Sequence, residues 1–425
     1  MRLLNLTNFY PPHARGGYEA WCEEVTNGLR ARGHTVSVLT SRFRCASDVG
    51  PDPSWVHRDL HLEMDLAPLR NVVRFFTLRQ EHERANLDRL SAWVDALDPD
   101  CILVWGMWNL HRALPALAER LRPNRVAYYF GDYWPTLPSQ YQAYWTGPAR
   151  NWVTAVLKTP LRRTALREMA RDHVPTLELR HAMFATAFVR DELSRLGVRA
   201  ADGRVVYGAI ETQRYARRQV EPSGDSDRPR LLWVGRLTAD KGPDTAIEAL
   251  ALLVRDHGLS RASLVVVGGG DASCERSLRR LALELGVGDR IQFVGAQPKD
   301  AMPAFYRGAD VFLFTSRWPE PFGRTLIEAM ASGLAVVATA VGGAREILAD
   351  GQNAVSVESG DAAALASGVT RVVRDSHFRD ALVTRARQDA LTTFDIGRMT
   401  TDIEMFLQRV LDGDSSGASS RPDVH

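Results

Sequence analysis

From Arg230 onward, short apolar runs alternate with stretches of helical periodicity. Strands are predicted at Arg230–Val234, Ser263–Gly268, Arg290–Val294, Asp310–Thr315, Leu334–Thr339 and Ala354–Val357. Such alternation implies right-handed βαβ units and a parallel sheet. The first half carries a less regular version of the same pattern. Leu3–Thr7 reads as a strand, followed by a Gly16-Gly17 loop and a helix on which Trp21, Val25 and Leu29 recur every four residues. Gly33 suits the helix C-cap, and Thr35–Thr40 is the next strand. Further strands are expected at Cys101–Trp105, Arg125–Phe130, Ala182–Thr186 and Arg204–Tyr207, with a helix from Phe188 to Leu196.

A chain of 425 residues exceeds one ordinary core. The polar segment Arg217–Arg228 is an expected linker, which gives an N-terminal domain over 1–216 and a C-terminal domain over 229–393. A last helix, 394–411, is expected to cross back to the first domain, before a disordered tail over 412–425. The expected fold class is α/β, two Rossmann-like doubly wound domains facing a central cleft, where such sheets bind ligands. A net charge of +2 gives no reason to expect a nucleic-acid partner. Cys22, Cys45, Cys101 and Cys274 are scattered, as reduced thiols of a cytoplasmic protein would be. The start is too short and polar for a signal peptide, and no apolar run approaches the ~20 residues that span a bilayer.

Chemistry concentrates in Glu320-Pro321-Phe322-Gly323-Arg324-Thr325 and the helix it opens, which carries Glu328. A helix entered from a strand aims free N–H groups and a positive dipole end above the sheet, which suits a phosphate. Carboxylates beside an anion make sense if they accept hydrogen bonds from hydroxyls attached to it. The loop therefore reads as a cradle for a nucleotide sugar. Arg236 and Lys241 lie in an earlier strand-to-helix loop, where a planar fork and a point charge can clamp a diphosphate. Solvated loop charges are the alternative for any isolated pair.

These motifs resemble retaining GT-B glycosyltransferases of family 4: Gly235-Arg236 with Lys241-Gly242, Val267-Gly268-Gly269-Gly270, Phe293-Val294-Gly295, Glu320 through Gly333, and Val341 through Ile347. The Gly16-Gly17 loop and Gly33-His34-Thr35-Val36 are similar to the family's opening, and the likeness runs to about residue 410. The resemblance implies that Glu328 holds ribose hydroxyls and Glu320 the donor sugar. It implies that backbone N–H groups at Phe322, Gly323, Arg324 and Thr325 bind sugar and phosphate oxygens. Arg236 and Lys241 would neutralise the departing diphosphate, and Gly16 and Gly17 would let backbone approach the donor. The co-substrate would be a UDP or GDP sugar, with no cofactor and no metal. The acceptor would be a sugar, a lipid-linked molecule or a small molecule, in polysaccharide, glycolipid or glycoconjugate synthesis. A GT-B-like epimerase and a non-catalytic sugar-nucleotide binder are the rival readings.

One position departs from the family. Gly131 stands where many relatives carry a histidine, which leaves Asp132 to orient the sugar, take the acceptor's proton, or merely cap a turn. His111 is a second candidate for that pocket. Gly268-Gly269-Gly270 fails the dinucleotide spacing, because Ser273 occupies the third glycine position. Trp105, Trp108, Tyr128, Tyr129, Tyr133, Trp134, Tyr141, Tyr144, Trp145 and Trp152 make the first half aromatic, for core and for stacking on a ligand. Lys158, Arg162, Arg163, Arg167 and Arg171 decorate a helix expected to start at Pro160. They form either a solvated face or a peripheral contact with the inner membrane surface.

Overall fold

The structure, a computed structural model, describes residues 1–413 apart from 14–15, 45–49, 65–70, 150–151, 173–174, 217–227 and 271. The expected linker over 217–228, save Arg228, and nearly all of the expected tail lie outside the described residues, as do Cys45 and the Trp152 side chain. The chain forms two compact units. The first comprises Met1–Ala185, Val189–Val206 and the residues from Thr400; the second comprises Thr186–Phe188 and Tyr207–Met399.

The first unit holds seven strands: β1 (Arg2–Leu6), β2 (Thr35–Ser41), β3 (Val56–Leu60), β4 (Cys101–Val104), β5 (Val126–Phe130), β6 (His181–Phe184) and β7 (Asp202–Val205). They pair in parallel in the order β3-β2-β1-β4-β5-β6-β7. The central strands are apolar end to end because helices cover both faces of such a sheet; β4 and β5 are buried at every residue. Sequence reading missed β3, since His57, Arg58 and Asp59 interrupt its apolar pattern. Two of those polar groups are bonded locally, and the His57 ring stacks on Trp93 with centroids 3.7 Å apart. Arg58 donates to Asp52 at 2.8 Å, and Asp59 accepts from Trp93 at 2.9 Å, as an edge strand permits.

Two expectations for the basic helix need correction. It runs from Trp152 to Met169, with Pro160 inside it rather than at its start. Proline removes the N–H that would bond the carbonyl of Val156. Val156 and Pro160 are both exposed, so water can satisfy that carbonyl instead. Lys158 is not a solvated charge: it is buried and donates to the Gly147 carbonyl at 2.7 Å, while Arg162 reaches the Thr146 carbonyl at 3.2 Å. Both cations cap the C-terminus of the helix Gln140–Thr146, where orphan carbonyls and the negative dipole end favour them.

In the second unit β8 (Arg230–Val234), β9 (Ser263–Val267), β10 (Ile291–Gly295), β11 (Val311–Phe314), β12 (Ala335–Thr339) and β13 (Val355–Val357) form a parallel sheet in the order β10-β9-β8-β11-β12-β13. Each lies within a residue or two of its expected position. The core gathers side chains of these strands, Leu231, Leu264 and Leu313 among them, against Ile247, Leu250 and Leu253 of the helix Pro243–Arg255. Both units are thus doubly wound α/β sheets.

Candidate active site

In the second sheet the strand order reverses between β8 and β11. The crevice at the carboxyl ends of two such strands is where doubly wound sheets take ligands. The loops leaving this pair are residues 235–242 and 315–323, which contain Arg236, Lys241 and Glu320. A threonine ties the two together. Thr315 Oγ1 accepts from Trp233 Nε1 at 2.9 Å and lies 2.7 Å from the Gly242 carbonyl, to which it donates. Gly242 is left-handed at φ 63°, and a Cβ there would stand 2.2 Å from the Thr315 carbonyl oxygen. Only glycine allows that approach.

Lys241 and Glu320 form an ion pair, and Ser316 Oγ donates to the same carboxylate oxygen at 2.8 Å. The Glu320 backbone is held from below by Gly342-Gly343. Gly343 N donates to the Glu320 carbonyl at 2.6 Å, and a Cβ on Gly342 would fall 2.5 Å from that oxygen. Arg236 is exposed, and its side chain makes no ion pair or hydrogen bond among the described residues. The two expected clamp residues therefore differ: one is balanced by a carboxylate, while the other presents an uncompensated charge.

Gly323, at φ 122°, opens the helix Arg324–Ala331 at the same edge of the sheet. The first-turn N–H groups and positive dipole end of that helix point out of the carboxyl edge. Thr325 lies in this first turn, and Phe322 is buried just before it, with its ring 5.8 Å from that of Phe394. Arg324 turns back to Glu328 at 3.3 Å and to the Ala209 carbonyl at 3.3 Å, so its guanidinium serves the protein. Glu328 is buried and also accepts from the Tyr306 hydroxyl at 2.8 Å. Sequence reasoning missed Ser316 and Tyr306. Ser316 directly follows a predicted strand and could have been found; Tyr306 carries no comparable signal.

In the first unit the reversal falls between β1 and β4. Gly16 is extended at φ −161° and caps the helix Gly17–Ala31, which follows β1. Asp132 follows β5. Burial raises its carboxyl to about 7, the Trp134 N–H it accepts at 3.1 Å works against that rise, and nearby Glu19 adds to it. Asp132 keeps some surface open to solvent, but protein encloses the carboxylate closely enough to desolvate it. It is a turn cap, and it is also poised near neutrality. Gly131 has a steric reason: a Cβ there would approach the rings of Tyr18 and Trp21 to 3.0 Å. Tyr18, whose hydroxyl bonds the Tyr129 carbonyl, fills the space where a larger residue 131 would reach, a role sequence reasoning missed. His111 accepts from Ala113 N at 3.2 Å, and burial lowers its pKa.

Comparison with known proteins agrees with this architecture. Residues 15–214 match Glycosyltransferase Family 4, and residues 217–389 match the glycosyl transferases group 1 family. The GDP-mannose-dependent alpha-(1-6)-phosphatidylinositol monomannoside mannosyltransferase of Mycolicibacterium smegmatis is 33% identical over 405 residues, 92% of this chain and 94% of that protein. The chain belongs to glycosyltransferase family 4. The D-inositol 3-phosphate glycosyltransferase of Thermomonospora curvata is 36% identical over 167 residues, 38% of each chain. With the first curated relatives, the match spans about two fifths of their length. The crystal structure of Anabaena HepE in complex with UDP and glucose superposes with a TM-score of 0.65 at 20% identity, covering 96% of this chain and 99% of that one. That likeness establishes the GT-B fold.

Among the described residues, no helix is long and apolar enough to cross a membrane, and no three His, Cys, Asp or Glu side chains gather as a metal site would require.

Proposed function

We propose that this family 4 protein transfers a hexosyl group from a nucleoside-diphosphate donor to an acceptor hydroxyl, with retention and without a metal. The observation that carries the proposal is the exposed Arg236, unpaired among the described residues, in the same loop as the Lys241 that pairs with Glu320, at the crevice where the second sheet reverses. Cleaving the anomeric C–O bond leaves negative charge on the diphosphate. Arg236, the Gly323 helix tip and Lys241 supply fixed positive potential for that charge. Glu320 accepts from a donor-sugar hydroxyl while sharing Lys241, and Glu328 accepts from the ribose. Asp132, with a carboxyl near 7, is suited to receive the acceptor's proton.

The mannosyltransferase relative is named for GDP-mannose and the HepE crystal for UDP, so these two bases are the first to test. Peripheral binding to an anionic membrane surface belongs to the same proposal. Arg163, Arg167 and Arg171 are exposed, with Val156 and Leu161 exposed near them in sequence. Sedimentation with phosphatidylglycerol vesicles tests it; an unbound protein at low salt would remove this part.

Calorimetry with UDP, GDP and ADP should show binding of one base, and the matching donor should yield free nucleoside diphosphate and an α-linked product by proton NMR. Absence of nucleotide binding would sink the proposal. Interconversion of the sugar nucleotide without an acceptor would favour an epimerase, and binding without turnover a non-catalytic role. Arg236→Ala and Glu320→Gln should each lower turnover more than roughly tenfold, about 1.4 kcal/mol in barrier height, with the fold retained.

A further inference from the structure

Three elements of the second unit converge on the carboxylate of Glu328, a residue only 7% exposed. Oε1 accepts from Arg324 Nε at 3.3 Å, one turn earlier on the same helix. Oε2 accepts at 2.8 Å from the hydroxyl of Tyr306, which lies in the helix Met302–Arg307 between β10 and β11. Tyr215, in the short helix Thr212–Tyr215, hydrogen-bonds the same carboxylate.

The last torsion of a glutamate side chain is soft and roughly two-fold, so burial by itself leaves the direction of its lone pairs open. Donors on both oxygens close that freedom, and these donors are themselves held. Tyr306 is fully buried, its ring edge-on to Tyr215 at 5.6 Å and tilted against Phe312 of β11 at 5.8 Å. Tyr215 is 1% exposed, and Arg324 is tethered to the Ala209 carbonyl at 3.3 Å. Burial, reinforced by the charge on Glu328, raises the pKa of both phenols, which keeps them protonated and able to donate.

Packing gives no reason for this arrangement. Desolvating a carboxylate is costly, and apolar side chains of similar volume often serve a core as well or better. An acceptor whose direction is fixed in advance has a use where ligand hydroxyls are met, because no ordering cost then remains to be met on binding.

We infer that Tyr306 and Tyr215 are positioning residues for nucleotide binding, which hold Glu328 in the orientation that accepts from ribose hydroxyls. The inference rests on the assignment of the ribose to Glu328 in the transferase reading.

Calorimetry on the full chain compares UDP, GDP and ADP with the 2′,3′-dideoxy form of each. For the base that binds, the wild type should favour the ribonucleotide by roughly tenfold or more, since a hydrogen bond to a charged acceptor is worth a factor of that order. Tyr306→Phe keeps the ring and its packing. It should weaken the ribonucleotide roughly fivefold and leave the dideoxynucleotide within about twofold. Tyr215→Phe should act in the same direction. A phenol that merely packs would not change the ratio between the two ligands, so equal loss of both, or unchanged affinity for both, would overturn the inference. If the circular dichroism melt shows Tyr306→Phe to be unfolded, Tyr215→Phe decides by the same criterion. The two readings fail in different ways. A wild type that binds no nucleotide, or binds both forms equally, removes the ribose assignment and the inference with it. A wild type that discriminates, with variants that keep its ratio, cancels the inference alone.

Discussion

Glu63 and Asp132 are carboxyl groups that the first unit holds away from water, and each is raised to about 7 from the ordinary range near 4. A raised carboxyl means that the native state binds its proton more tightly than the unfolded state does. Stability is then undiminished below the unfolded pKa and falls as pH rises from about 4.5 to 7. Glu63→Gln removes that dependence at one site, while Asp132 titrates alike in both proteins. Comparing urea midpoints at pH 5 and pH 8, the variant should gain on the wild type by about 1–3 kcal/mol. A pH-independent difference would mean that Glu63 is not desolvated. Among the residues of the second unit, motif reading singled out Arg236, Lys241, Glu320 and Glu328 by type and by their place in loops and helices. It did not foresee that Lys241 and Glu320 pair, because 79 residues separate them in sequence.

At the scale of elements, periodicity was a good guide wherever a strand or helix buries one continuous apolar face. The central strands of both sheets are of this kind. It failed at β3, whose alternation is broken by an edge strand's polar residues, and at the helix Trp152–Met169. There proline reads in sequence as a start signal, yet the flanking turns supply enough bonding to carry the helix through it. Pro160→Ala should restore the missing hydrogen bond on an exposed face and stabilise the first unit by about 1–3 kcal/mol. Thermal unfolding followed by circular dichroism checks this, and a lowered midpoint would show that Pro160 packs usefully. The caps supplied by Lys158 and Arg162 were equally illegible, since a basic helix face looks the same in sequence whether it is solvated or bonded to another helix's end.

For the whole molecule, each sheet has its own core, yet the first unit is assembled from both ends of the chain. Ile403, Phe406, Leu407 and Val410 of the last helix are buried. Glu404 bonds Arg32 and His34, each at 2.6 Å, and a Cβ on Gly28 would meet the Thr400 hydroxyl at 2.8 Å. Deleting residues from Thr400 onward should therefore destabilise the first unit. Burying side chains of that size is worth about 1.5–3 kcal/mol each. Hydrogen exchange should rise over Gly17–Ala31 and β1 while the core strands of the second unit keep their protection; protection retained over Gly17–Ala31 would contradict the packing.

Composition, periodicity and the glycine-punctuated motifs by themselves determined two parallel α/β units and the loops that carry chemistry. These are local properties: which face of an element is apolar, and where the backbone must turn. Tertiary structure alone decided that Lys241 is balanced while Arg236, among the described residues, is not, that Tyr306 holds Glu328, and that Tyr18 fills the space beside Gly131. Each depends on atoms brought within a few ångströms across long separations, and no sequence period encodes such distances.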